Sequence, residues 1–171
     1  MEYSGQAQTL LPRTSGVLRK HRWLWEDGYL VFGVALNDSH RVDKLAVLGY
    51  FNTVDSLTSL SSHSTSIPHL SPTTLKELNQ GEARLILSYL LACEQRMNSP
   101  ATVNHPVISE LVDAFFAEMG AYAVYSNCSF TNSKSETAGI TWVPVTDHAA
   151  DIFLCAISHQ HLGYWLYSDD E

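Results

Sequence analysis

The strongest constraint on the fold is the segment of residues 82–97, whose apolar side chains extend nearly all the way round a helix. Such a helix needs neighbouring elements to cover most of its surface. A second helix is predicted after Pro106, where apolar residues recur at intervals of three and four until Gly120, a residue suited to a left-handed cap. Ser71 followed by Pro72 predicts an earlier helical start, because serine is a good N-cap and proline is tolerated at the first helical position.

Strand-like segments flank these two to three central helices. Asp27-Gly28 predicts a hairpin, because glycine accepts the positive φ of a tight turn. The predicted strands cover residues 19–25, 29–36 and 45–51 before the helices, and 122–126, 140–145, 151–158 and 162–167 after them. This order predicts an α+β fold: a mainly antiparallel sheet of three N-terminal and about four C-terminal strands with the helices packed on one face. We expect a single domain over residues 1–171, with an irregular arm at 1–17 and a Ser/Thr-rich loop at 52–73.

The net charge of -8 comes entirely from the second part of the chain. Residues 1–96 hold nine basic and nine acidic side chains, whereas residues 97–171 hold nine acidic side chains against Lys134. An acidic surface repels nucleic-acid phosphates and anionic lipids, and it attracts basic proteins. We therefore expect a basic protein partner, and neither nucleic acid nor a membrane.

A basic and aromatic segment at residues 19–25 supports the opposite interpretation. It interleaves Arg, Lys and His with two tryptophans, a combination that binds single nucleic-acid strands. Four bases are too few for a basic tract, and the net charge opposes such binding. The preferred interpretation is an edge strand whose basic side chains discourage aggregation between sheets.

The cysteines predict a reducing environment. Cys93, Cys128 and Cys155 are widely spaced and include no Cys-x-x-Cys pair, which favours buried free thiols. Cys128 lies in a polar stretch and is the least obviously buried. The chain starts without the features of a secretory signal, and its longest apolar stretch, 85–93, is too short to span a bilayer. We expect a cytoplasmic location and no cofactor.

A cluster of histidines and aspartates leaves a metal site open as an alternative. Carboxylates and imidazoles are suitable ligands for zinc or iron, but no His-Glu-x-x-His spacing is present. Sequence patterns for a serine or cysteine nucleophile and for a phosphate-binding loop are also missing, so a non-enzymatic role is preferred. The alternative is a small metal-dependent hydrolase that uses His148, Asp151, His159 and His161.

The C-terminal residues combine aromatic side chains with a triple acid. Aromatic rings supply contact area at low entropic cost, and carboxylates pair with Lys or Arg across an interface. The equally weighted alternative is a terminal strand in which Trp165 packs inward. The predicted partner-binding residues are Asp147, Asp151, Tyr164, Trp165, Tyr167, Asp169, Asp170 and Glu171.

This small acidic α+β chain resembles bacterial immunity proteins. The residues that carry the resemblance are Thr141-Trp142-Val143-Pro144-Val145-Thr146-Asp147 and the C-terminal Gly163-Tyr164-Trp165-Leu166-Tyr167-Ser168-Asp169-Asp170-Glu171. Those proteins neutralise toxins of contact-dependent or type VI secretion systems. The resemblance implies a one-to-one complex with a cognate toxin, often a basic nuclease. A structural or adaptor subunit that dimerises through residues 82–97 remains a further hypothesis.

Overall fold

The structure, a computed structural model, describes residues 5–25, 28–94, 106–120, 122–131 and 139–169. Its helices are α1 (Gly5–Leu10), α2 (Pro12–Lys20), α3 (Lys44–Phe51), α4 (Gln80–Glu94) and α5 (Pro106–Met119), with a short 3-10 helix at Arg22–Leu24. Its strands are β1 (Val31–Leu36), β2 (Leu57–Thr58), β3 (Ser64–Thr65), β4 (Lys76–Leu78), β5 (Ala123–Ser126), β6 (Cys128–Thr131), β7 (Gly139–Trp142), β8 (Ala150–Ile157) and β9 (His161–Asp169). Within these residues, no helix combines the length and the apolar composition that crossing a bilayer requires.

Five strands form an antiparallel sheet in the order β1-β9-β8-β5-β4. The α+β prediction with a mainly antiparallel sheet is confirmed. Strand β1 pairs with β9, so that Leu36 lies opposite His161. Strand β7, which was expected in this sheet, instead forms a separate hairpin with β6.

One face of the sheet packs against α1, α4 and α5, and α2 packs on α5. Trp165 of β9 is fully buried there, and its ring lies 4.5 Å from Phe32 and 5.4 Å from Phe115 between ring centroids. Gly163 allows α5 to approach the strand closely, because a Cβ at this position would lie 2.8 Å from the Phe115 ring. This helical layer contains the larger of two hydrophobic cores.

The opposite face of the sheet is also covered, which corrects the prediction that helices pack on one face only. Phe51 of α3 makes edge-to-face contacts with Phe153 and Tyr164, at 5.2 and 5.0 Å between ring centroids. Aliphatic residues of α3 and of the segment that follows it complete this second core. The sheet is therefore buried on both sides.

Helix α3 occupies residues predicted as a strand. Its N-cap is Asp43, whose carboxylate accepts a hydrogen bond from the backbone N–H of Ala46 at 2.9 Å. This hydrogen bond lowers the pKa of Asp43. The cap satisfies a donor that a helix start leaves unpaired, and it fixes where α3 begins.

The N-terminal region is helical, so both the irregular arm at 1–17 and the strand at 19–25 were wrong predictions within the described residues. Glu118 of α5 accepts hydrogen bonds from the backbone N–H groups of Arg13 and Thr14, at 2.9 and 2.6 Å. It also accepts one from the Thr14 hydroxyl at 2.6 Å. A distant carboxylate thus satisfies the first-turn donors of α2. The residues expected to form the first strand of a hairpin at Asp27-Gly28 are thus helical, and Asp27 itself lies outside the described residues.

The helix predicted to start at Pro72 begins later, at Gln80. Residues 71–74 form a turn in which the Thr74 hydroxyl donates to the Ser71 carbonyl at 2.9 Å, and β4 follows. Asn79 and Glu82 then exchange side-chain-to-backbone hydrogen bonds at 2.8 and 3.2 Å, a capping box that starts α4. Helix α5 agrees with its prediction, and Gly120 follows it with a φ of 69°.

Candidate partner-binding cleft

Two of the predicted anchor residues belong to the core. Trp165 is fully buried between the sheet and α5, and Tyr164 is 9% exposed against α3. Burial strongly raises the pKa of the Tyr164 hydroxyl. Trp165 therefore packs inward, as the alternative interpretation expected, and Tyr164 is buried on the other face of the sheet. Tyr167 is half-buried and remains at the surface.

Asp151 is a structural carboxylate and not a surface residue. It is 1% exposed and accepts hydrogen bonds from the Asn127 side chain at 2.7 Å, from the Thr146 hydroxyl at 2.8 Å and from the Thr146 N–H at 3.0 Å. The Val145 N–H also donates to it at 3.2 Å. Asp147 is exposed and lies 2.7 Å from the His69 ring. Of these two predicted partner-binding acids, only Asp147 is accessible.

The acidic end of β9 is partly described. Asp169 is half-buried and accepts a hydrogen bond from the Tyr167 hydroxyl at 2.9 Å. This bond holds the carboxylate at the outer edge of the Tyr167 ring. Asp170 and Glu171, predicted to bind the same partner, lie outside the described residues.

The four residues of the alternative metal site do not form one cluster. Asp151 and His161 lie at opposite ends of the β8–β9 hairpin, seven positions along the sheet or roughly 23 Å apart. His159 is exposed in the turn and lies within hydrogen-bond distance of the His40 carbonyl, whereas His161 is buried. In the described part of the chain, no group of three or more His, Cys, Asp or Glu side chains is arranged to hold a metal ion.

Two of the three thiols, Cys128 and Cys155, lack the properties of a nucleophile. Cys128 and Cys155 are fully buried, and burial raises the pKa of Cys128 to about 12 and also raises that of Cys155. A nucleophilic cysteine requires the opposite shift. Cys128, expected to be the most accessible thiol, is enclosed because it begins β6 beneath α4. None of the three cysteines, all within the described residues, forms a disulfide.

An apolar cleft of about 90 Å³ lies where three structural units meet: the second half of α4, the β6–β7 hairpin and the open end of the β8–β9 hairpin. Its base is continuous with the main core, against which Cys93, Ile140 and Tyr167 pack. The lining residues are Tyr89, Cys93, Ile140, Trp142, Ala150, Asp151, Ile152 and Tyr167.

Two aromatic side chains of the cleft are exposed to solvent. Trp142 is 46% exposed and Tyr89 is 41% exposed, and Leu85, one turn before Tyr89 on α4, is 54% exposed. The nearby Cys93 thiol and partial burial raise the pKa of the Tyr89 hydroxyl, which is therefore neutral at physiological pH. The cleft thus presents uncharged aromatic walls next to the Asp169 carboxylate.

Sequence reasoning identified one edge of this site and missed the rest. Tyr167 and Asp169 were predicted, whereas Tyr89, Cys93 and Trp142 were not. The apolar residues nearly all round α4 could have indicated an exposed apolar surface on this helix. Its neighbours do not bury all of its apolar side chains. Nothing in the sequence indicated that the β6–β7 hairpin would bring Trp142 to this helix.

Two larger clefts lie on the α3 side, with volumes of about 310 and 390 Å³. The first contains Arg41, which is paired with Asp43. The second lies along β1, and aromatic, aliphatic and small polar residues line it. Neither brings together, among the described residues, a nucleophile and a base. Comparison of the chain with protein-family models, with curated proteins and with solved structures finds no match.

Proposed function

We propose that the chain is a non-enzymatic binding protein that neutralises a basic protein partner, in the manner of an immunity protein that inhibits its cognate toxin. The observation that carries this proposal is the cleft, in which exposed Tyr89 and Trp142 stand beside the acidic end of β9. Aromatic anchors near a polar rim are typical of protein interfaces.

The exposed aromatic surface is large enough to contribute to a stable complex. A Tyr or Trp side chain buries about 150–250 Å² when fully enclosed. Roughly 100 Å² therefore remains to be buried on each of Tyr89 and Trp142, worth about 2.5 kcal/mol per residue. Energies of this size are characteristic of the few residues that dominate an interface.

Charge supports a basic partner. The second part of the chain carries nine acidic side chains and Lys134 as its only lysine or arginine. Such a field accelerates encounter with a basic protein and weakens as salt screens it. The same field disfavours nucleic acid and anionic lipid. A reducing, cytoplasmic location is part of this proposal, since the thiols form no disulfide.

Titration calorimetry with the protein encoded beside this gene tests the proposal. We expect a one-to-one complex that weakens between about 50 and about 500 mM salt. Trp142→Ala should weaken it by roughly tenfold or more. Trp23→Ala is the matched control, because Trp23 is 67% exposed on the 3-10 helix and does not line the cleft. The absence of any complex at the lowest salt concentration would count against the proposed function.

A second candidate function is a structural or adaptor subunit that dimerises through α4. The exposed Leu85 and Tyr89, one turn apart, are the observation that favours it. Sedimentation over a range of concentrations separates the two functions. A dimer that Leu85→Glu dissociates would support the adaptor, and a monomer at all concentrations would support the inhibitor.

A further inference from the structure

We propose that this cleft receives one long cationic side chain, a lysine or an arginine, from the basic partner. The inference rests on the proposed function and specifies the chemistry of its contact. Three properties of the cleft support it: its size, the nature of its walls and the charge at its rim.

The size of the cleft selects a linear side chain. Its volume is about 90 Å³, whereas an apolar cavity that holds benzene measures roughly 150 Å³. The cleft therefore does not enclose an aromatic ring of the partner, whereas an unbranched methylene chain lies within it. Lysine and arginine have such chains, which commonly lie along apolar surface while the charged group reaches water.

The walls favour a cation at the end of that chain. The rings of Tyr89, Trp142 and Tyr167 line the cleft, and aromatic faces attract ammonium and guanidinium groups. None of the eight lining residues is basic, so no like charge within the cleft opposes entry. The buried acid among them, Asp151, has its carboxylate hydrogen-bonded within the loop and contributes structure there.

The rim supplies the opposite charge. The Tyr167 hydroxyl donates to Asp169 and holds this carboxylate where the Tyr167 ring leaves the cleft. Asp169 is only partly buried, so its negative charge acts on a cation at this edge of the cleft whatever other contacts the carboxylate makes. A side chain whose methylenes contact the cleft walls would bring its charge to this edge.

Blocked glycine pentapeptides with one central variable residue are the probes that test this inference. The whole chain is labelled with fluorotryptophan and followed by fluorine NMR at low salt. Trp142 reports on the cleft, and Trp23, exposed elsewhere, is an internal control. We expect peptides with lysine or arginine to shift the Trp142 resonance, and the uncharged norleucine peptide to bind about fivefold more weakly. The phenylalanine peptide should give no saturable shift.

Two variants of Cys93 distinguish binding inside the cleft from binding nearby. Cys93→Leu fills the cleft with added carbon and should abolish the lysine-dependent shift, whereas Cys93→Ala keeps the cleft open and should preserve it. Equal binding of norleucine and lysine, tighter binding of phenylalanine, or a Trp142 resonance that no peptide moves would each overturn the inference. A dimer that buries Trp142 would also overturn it, because the occupant would then be a second copy of the chain.

Failure of this inference is distinguishable from failure of the proposed function. If the lysine peptide binds in the cleft but the protein encoded beside the gene does not bind, the proposed function fails and the cleft assignment stands. If that protein binds equally well to the chain and to its Cys93→Leu variant, the function stands and the cleft assignment fails.

Discussion

Replacing Asp151 with asparagine should destabilise the chain strongly. The carboxylate accepts from four donors in Asn127, Val145 and Thr146, and it is 1% exposed. An asparagine oxygen can keep about half of these hydrogen bonds, while its NH₂ group would face the remaining donors. Each hydrogen bond to a buried charge contributes about 1.5–3 kcal/mol, so the loss of two predicts about 4 kcal/mol. This is a large share of the roughly 5–15 kcal/mol that stabilises a typical domain.

Guanidinium denaturation followed by circular dichroism measures this loss. The midpoint temperature in a parallel thermal experiment should fall by about 8–16 °C, since each kcal/mol corresponds to about 2–4 °C in a chain of this length. Asp147→Asn is the matched control: it removes the same charge from an exposed position four residues away and should cost less than about 0.5 kcal/mol. If Asp151→Asn unfolds within about 0.5 kcal/mol of this control, the proposed role of the carboxylate is wrong.

Three further predictions concern the thiols, the packing of the sheet and pH. Because burial raises the pKa of Cys128 and Cys155, only Cys93 should react with a thiol reagent near neutral pH in the folded chain. Gly163→Ala should cost about 1–3 kcal/mol of unfolding free energy in the same denaturation assay, since the added carbon meets a buried ring of α5 at 2.8 Å. Burial lowers the pKa of His161 and outweighs the charge of the neighbouring Glu118. Below about pH 6.5 the unfolded chain therefore binds more protons, so stability should fall as the pH drops, and His161→Gln should flatten this slope.

Each of these predictions has a control. Cys93→Ser should remove the reactivity of the folded chain, and a second reactive thiol would contradict the burial of the other two. Gly49→Ala on the exposed face of α3 has no atom within 4 Å of the added carbon and should stabilise by about 0.5–1 kcal/mol. His159→Gln changes an exposed histidine close to His161 and should leave the pH slope unchanged. An unaltered slope in His161→Gln would show that other groups control the pH dependence.

The sequence predicted the fold class but not every element, and α3 shows why. The apolar run after Asp43 is too short to reveal a period, so strand and helix fit it equally well. The residue that favours a helix over a strand is Asp43, the N-cap directly before this apolar run. A potential N-cap also led to a wrong prediction at Ser71, where the side chains form a turn and no helix begins.

Tertiary contacts account for the remaining differences. Helix α2 obtains its N-terminal acceptor from Glu118, more than a hundred residues along the chain, and no local pattern reveals this. The cleft depends in the same way on the hairpin that brings Trp142 next to Tyr89. Tyr167 and Asp169 were predictable because they are neighbours on one strand.

The pairing of β1 with β9 determines when the sheet is able to form during synthesis. Among the described residues β1 pairs with a single strand of the sheet, β9, which begins at His161. A ribosome must therefore release well over a hundred further residues before Leu36 meets its partner. During that interval the backbone of β1 has no strand to pair with and its apolar side chains are not covered by β9. This condition favours aggregation and slow folding. We expect the N-terminal part of the chain to require protection by chaperones until β9 has been synthesised.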